Sequence, residues 1–392
     1  MLHGMRMRKA ASALVGLLLA GVAATPAHAQ TIRERQWHLD AMKADEIWKT
    51  STGKGITVAV IDSGVERIPE LDGQVLPGKD FAEGYKGDER TGYNTHGTSM
   101  AALIAGSGRH PSGDGAFGLA PGAKILPIRV PDEMSASTPS WVAAIRYAAE
   151  SDAKVINISL GVEGSPKDDE ARASAVKYAL SKGKLIFAAV GNDGDTTNGV
   201  EYPGATPGVV GVGAVGADGG ATKESQHGPQ VDMAAPGIDL VTACARETGL
   251  CTSSGTSDAT ALASASAALL WSAHPDWTNN QVLRVLLNTA GKPVDGAARN
   301  DYVGYGVVRP RVAVPTPGDP GPADVYPLPD LAAAGASGGK TAETGASKPV
   351  PQPEAGVKKS DGSSLPWIAL GLGACVVIGG AATAVAVRRN RR

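Results

Sequence analysis

Residues 258–270 read Asp-Ala-Thr-Ala-Leu-Ala-Ser-Ala-Ser-Ala-Ala-Leu-Leu, a run built almost wholly of small side chains. Alanine is the strongest helix former and Pro275 supplies a stop, so the stretch predicts one long helix ending near His274. With so little charge or bulk on any face, that helix belongs in the middle of a domain, where close neighbours leave room only for Ala, Ser and Gly. The loop that feeds it, Ser253-Ser254-Gly255-Thr256-Ser257, puts Ser257 at its N-terminus. Unpaired backbone N–H groups and the positive end of the helix dipole favour an oxyanion there. Ser257 is therefore a candidate nucleophile, although a serine in that place is equally suited to capping the helix.

A central helix needs layers around it, and the chain supplies them in alternation. Residues 56–61 form a continuous, largely β-branched run, as expected of a strand buried on both faces of a parallel sheet. Further strands are predicted over 123–130, 155–160, 185–190 and 209–215. Helices are predicted over 140–150, where Trp141, Ile145 and Ala148 share a face, and over 168–182. A third helix, 282–289, follows Thr278 and Gln281 at capping-box spacing. Residues 40–49 read as a short helix before the first strand. This order predicts an α/β fold of three layers, with a mainly parallel central sheet and helices on both faces.

In such sheets ligands gather at the carboxyl ends of the strands. The first strand ends in Asp62-Ser63-Gly64, which is also ordinary turn chemistry. Asn94-Thr95-His96-Gly97-Thr98 opens onto a second small-residue helix and places His96 between a turn and a buried element. Among the seven histidines, His3 and His28 fall in the N-terminal leader, and His38, His110, His227 and His274 sit in turn-like or surface-like settings.

The two ends divide the 392 residues further. Arg6, Arg8 and Lys9 precede an apolar stretch and then Ala27-His28-Ala29, the pattern of a secretory signal over 1–29. Residues 365–387 are almost uninterruptedly apolar, long enough to cross a bilayer, and Arg388, Arg389, Arg391 and Arg392 follow. The positive-inside rule places the 388–392 tail in the cytoplasm and the preceding chain outside a plasma membrane. Residues 313–364, rich in Pro, Gly and Ala, predict a flexible stalk, which leaves 30–312 as the one folded domain. The net charge is −2, with no basic cluster inside that domain, so nucleic acid is not an expected partner. Cys244 and Cys251 are expected to form a short-loop disulfide in an oxidising compartment, and Cys375 to be a small apolar residue of the span.

Asp62, His96 and Ser257 stand in the order that subtilisin uses for its triad. The surrounding residues resemble the subtilisin-like serine proteases: Val58-Ala59-Val60-Ile61-Asp62-Ser63-Gly64, His96-Gly97-Thr98 and Gly255-Thr256-Ser257. Ala188-Ala189-Val190-Gly191-Asn192 and Met233-Ala234-Ala235-Pro236-Gly237 match as well. The resemblance implies a subtilisin-like fold and a serine endopeptidase acting on protein or peptide substrates. Asp62, His96 and Ser257 would be catalytic, Asn192 would supply the oxyanion hole, and Ser159, Leu160 and Gly161 would bind the substrate backbone. It also implies that Glu201, before Tyr202-Pro203-Gly204, lies at the base of the primary specificity pocket; whether its side chain faces that pocket or water stays open. Calcium serves many subtilases, but no carboxylate-rich loop here calls for it.

A narrower similarity is to the mycosins, membrane-anchored subtilases of type VII secretion. It rests on Gln36-Trp37 with Leu39, on the Pro-rich stalk, and on the single span with its Arg tail. Residues 30–61 leave too little chain for a folded inhibitory prodomain, as in those proteins. Two departures stand out: Ala261 replaces a usual Pro, and Asp258 replaces an apolar residue beside the nucleophile. If Asp258 is ionised and close to the oxyanion it opposes the charge that develops there, and Asp258→Asn is expected to raise turnover; the alternative is favourable placement in the first turn of the helix. The departures also leave room for a second reading, a weakly active subtilase that serves as a structural component of a membrane secretion complex.

Overall fold

The computed structural model describes residues 30–131 and 138–338. The predicted signal 1–29, the span 365–387 with Cys375, the 388–392 tail and the stalk beyond residue 338 lie outside them. No helix among the described residues is long and apolar enough to cross a membrane.

Eleven strands follow in chain order: β1 (Thr57–Asp62), β2 (Lys79–Asp80), β3 (Lys124–Arg129), β4 (Val155–Ile158), β5 (Val162–Glu163), β6 (Leu185–Ala189), β7 (Glu201–Tyr202), β8 (Val210–Val215), β9 (Met233–Pro236), β10 (Leu240–Ala243) and β11 (Leu250–Ser253). Seven of them form one sheet in the order β2-β3-β1-β4-β6-β8-β9, with every neighbouring pair parallel. The chain leaves β1 on one side for β2 and β3, then returns on the other for β4. The connections therefore part at the carboxyl end of β1, where Asp62 sits, and open a crevice there.

Strand residues alternate between two apolar clusters, as the period of two requires. Val58, Val60, Ile125, Leu185 and Phe187 join one cluster with helices α4 (His96–Ala105) and α7 (Thr256–Ala273); Ala59, Ile61, Ile128, Ile156 and Ile186 join the other with α5 (Thr138–Glu150) and α6 (Glu170–Ser181). The expected three layers are present. Helix α7 is buried almost throughout, and it packs against α4 and the sheet. A bulkier residue there would overpack the layer at a cost of about 1–3 kcal/mol. Helix α8 (Asn279–Thr289) carries the expected capping box between Thr278 and Gln281.

The first helical stretch differs from the single helix expected over 40–49. It is three short turns, α1 (Ile32–Arg35), α2 (Trp37–Ala41) and α3 (Ala44–Ile47), interrupted at Lys43, whose φ of 59° is left-handed. Tertiary bonds hold these turns to the domain where local helix geometry does not. Asp114 accepts twice from the Ile32 N–H at 3.0 Å, and buried Gln36 bonds to both polar groups of Phe117 and to the Val241 carbonyl. The indole N–H groups of Trp37 and Trp48 donate to the carbonyls of Ile238 and Leu119. His38 corrects the surface-like reading: it is 0% exposed, and desolvation holds its imidazole neutral with a pKa of about 3. Because this strap completes the core through Leu39, Met42 and Ile47, N-terminal sequencing of the mature protein is expected to recover Trp37 and Trp48. A mature start beyond Trp48 would contradict it.

The ordered chain also continues past Val312, where the stalk was expected to begin. After α9 (Pro310–Ala313), the Arg284 guanidinium donates to the carbonyls of Pro320, Pro322 and Val325, and Asn280 donates to that of Ala323. Helix α10 (Asp330–Gly338) is held by the Gly208 N–H donating to Asp330. Pro-rich chain is tied down here through its carbonyl oxygens and through Val314 and Leu328, which are buried in the core with Tyr326 packed against it.

Candidate active site

Three elements of the crevice bring the expected residues together. Asp62 ends β1, fully buried; His96 opens α4; Ser257 lies in the first turn of α7. His96 Nδ1 lies 2.8 Å and 3.0 Å from the two carboxylate oxygens of Asp62. The Ser63 N–H donates to Asp62 Oδ1 at 2.7 Å, and the Ser63 hydroxyl accepts from the Gly97 N–H, tying the end of β1 to the start of α4. A side chain at Gly97 would collide with the Gly64 carbonyl and with Asp62, so the glycine is what lets α4 approach this closely.

His96 and Ser257 line one cavity of about 800 Å³, together with Ser159, Leu160 and Asn192. The Ser257 hydroxyl donates to the Ser159 carbonyl at 2.8 Å, and the Ser159 hydroxyl donates back to the Ser257 carbonyl at 3.0 Å. This reciprocal pair fixes the start of α7 against the end of β4. Asn192 Oδ1 accepts from the Thr256 N–H at 2.8 Å and from the Thr256 hydroxyl at 3.2 Å. Its oxygen is thereby engaged, which leaves the amide NH2 for a ligand in the cavity. The backbone N–H groups of the first turn of α7 have no partner within the helix and add to that positive end.

Leu160 is part of the cavity wall, and Gly161 lies behind it against Glu201. The orientation left open for Glu201 is inward. Strand β7 pairs with β5, so the carboxylate fills space that Gly161 and Gly191 leave by having no side chains, and Gln226 Nε2 donates to its Oε1 at 3.0 Å. Asp258 is likewise turned in: it is 2% exposed, accepts a hydrogen bond from the Ser253 hydroxyl, and lines the cavity. Burial raises its carboxyl to about 6 against the opposing pull of Ser253 and His96.

The opposite wall is the β10–β11 hairpin, closed by the expected Cys244–Cys251 disulfide, with Ala245, Arg246 and Thr252 facing the cavity. Neither Gln226 nor Ser253 was singled out from the sequence, which carries no local signal for either; each acts only because the fold brings it to a carboxylate. Among the described residues no group of three or more His, Cys, Asp or Glu is disposed to hold a metal.

With fold and geometry in place, comparison with known proteins is direct. The subtilase family profile matches residues 53–306, and the chain belongs to that family. It is 35% identical to subtilisin E of Bacillus subtilis over 61% of this chain. That match spans 61% of subtilisin E, and the first curated relatives are all covered for less than two thirds of their length. Among solved structures, MycP1 from Mycobacterium smegmatis superposes with a TM-score of 0.65 at 29% identity, covering 76% of this chain and 89% of MycP1. A chain of the periplasmic assembly from the ESX-5 inner membrane complex superposes with a TM-score of 0.63 at 29% identity, covering 82% and 90%. The structural neighbours thus include mycosins, the subtilases of type VII secretion.

Proposed function

We propose that this chain is a membrane-anchored serine endopeptidase that cleaves peptide bonds with Asp62, His96 and Ser257. The observation that carries the reading is the His96 imidazole, held by Asp62 through Nδ1 in the cavity that exposes Ser257. A carboxylate on Nδ1 keeps the proton there and leaves Nε2 as the base. The Ser257 hydroxyl turns from the Ser159 carbonyl, gives its proton to His96 Nε2 and attacks the peptide carbonyl. The tetrahedral oxyanion is met by the Asn192 amide and the Ser257 N–H. His96 then protonates the leaving amine, and water repeats the sequence on the acyl-enzyme. Ser159, Leu160 and Gly161 bind the acyl side of the substrate as an added strand.

Anchoring by the span 365–387, with the catalytic domain outside the plasma membrane, rests on the sequence. Work beside a type VII secretion complex rests on the likeness to MycP1 and to the ESX-5 assembly. The latter likeness also favours the second reading, a structural component of such a complex. Labelling the full chain with a serine-reactive phosphonate separates the two. An adduct on Ser257 of the folded protein is expected, and none would leave the structural role alone.

On this reading the Glu201 carboxylate, turned towards Gly161 and Gly191 and bonded by Gln226, forms a negative base to the primary pocket. A peptide library varied just before the scissile bond is expected to show basic side chains preferred over acidic ones. That preference should shrink about ten-fold or more in Glu201→Gln, since one charge pair in a low-dielectric pocket amounts to at least ~1.4 kcal/mol. An unchanged profile would remove Glu201 from the specificity site.

A further inference from the structure

Asp258 follows Ser257 directly in the first turn of α7. It is buried, bonded by Ser253 from the end of β11, and shares the cavity of His96. We propose that Asp258, held by Ser253, is a second carboxylate acting on His96, one that sets the basicity of the imidazole and hence the acid limit of hydrolysis. The proposal rests on the triad reading above.

The ionisable groups around that cavity are His96 from α4, Tyr93 just before it, Glu66 from the segment after β1, and Arg246 from the hairpin. Of these, His96 draws the Asp258 carboxyl towards its ionised form. Such an attraction is reciprocal: what the imidazolium does to favour the carboxylate, the carboxylate does to favour the imidazolium. Desolvation, the largest influence, lifts the Asp258 carboxyl to about 6, into the range where an imidazole titrates. In acid Asp258 is neutral and leaves His96 alone. As pH rises through about 6 it ionises, and the imidazole keeps its proton to a higher pH. The free base that must accept the Ser257 proton is therefore populated later than it would be with Asp62 alone. In the transition state the same carboxylate faces an imidazolium, an attraction that offsets its repulsion of the oxyanion. Asp258 reaches the reacting atoms through His96, so it is a positioning residue of an electrostatic kind.

Two measurements on the full chain test this: the pH dependence of kcat/KM, and the NMR titration of the His96 ring, which needs no turnover. In Asp258→Asn the acid-limb midpoint and the His96 titration are both expected to fall by about 1 pH unit, the size an opposite charge at close range imposes. One unit below the wild-type midpoint, activity relative to each protein's own plateau then rises from about one tenth to about one half, roughly five-fold. Ser253→Ala removes a bond that favours the ionised carboxyl, so Asp258 ionises later and both midpoints move the same way by less. A midpoint and titration that stay put in Asp258→Asn overturn the proposal. A higher plateau would then show oxyanion repulsion alone, and a lowered Tm a helix-terminus role alone. If the chain hydrolyses nothing at any pH, the ring titration still reports the coupling, so failure of the protease reading stands apart from failure of this one.

Discussion

Ser257→Ala and His96→Ala are each expected to abolish peptide hydrolysis, with kcat reduced about a million-fold, the size known for subtilisin, a relative of this chain. The reason is geometric. In the proposed mechanism Ser257 carries the bond-forming oxygen, and His96 is the base that Asp62 orients towards the cavity. Neither residue holds much of the fold. Removing the Ser257 hydroxyl deletes its bond to the Ser159 carbonyl, worth about 1 kcal/mol net. His96→Ala is the harsher change, because Asp62 is fully buried and keeps only the Ser63 N–H among its described partners. Circular dichroism and Tm of both variants therefore accompany the kinetics. The double variant is expected to lose no more than either single one, since the two act as a unit. Additive losses, or residual hydrolysis in a clean Ser257→Ala preparation, would remove the triad.

Asn192 carries the second-largest effect. Losing one oxyanion donor costs about 10²–10³ in kcat, ~3–4 kcal/mol, again a magnitude known for subtilisin. On the proposed reading Asn192 has two duties that can be separated. Its oxygen accepts from the Thr256 N–H and so braces the nucleophile loop, while its NH2 is left for the substrate. Asn192→Ala removes both. Asn192→Asp keeps the acceptor, replaces the donor with negative charge, and so should lower kcat further than alanine does, with KM changing little because the contact is made in the transition state. If Asn192→Asp retains most of the activity, the brace is what matters and the oxyanion role fails.

The parallel sheet and its buried helix were legible because their signals are local. A β-branched run ending in Asp62 and a thirteen-residue stretch of small side chains leave few other folds open. The order Asp62, His96, Ser257 was legible for the same reason. What could not be read depends on distant residues. Glu201 turns inward only because Gly161 and Gly191, far apart in sequence, both lack side chains where its carboxylate lies. His38 is itself part of the strap, in α2, and is buried only because that turn docks on the domain. Residues 313–338 have the composition of a linker, and what holds them, an Arg284 fork on three carbonyls and the burial of Val314 and Leu328 in the core, depends on residues distant in sequence.

A protease is always in the company of its own chain. A segment can be cut only after it is drawn out as an extended strand with its carbonyls free for the cleft. The strap and the docked segment beyond α9 meet that demand poorly. The carbonyls of Ala41, Pro320, Pro322, Ala323 and Val325 are all engaged by side chains elsewhere in the domain, that of Ala41 by Arg311 of α9. If the chain is the protease proposed above, the same bonds that hold the two extensions also make them poor substrates for a neighbouring copy, and for the described residues resistance to self-digestion is built into how the chain is wrapped.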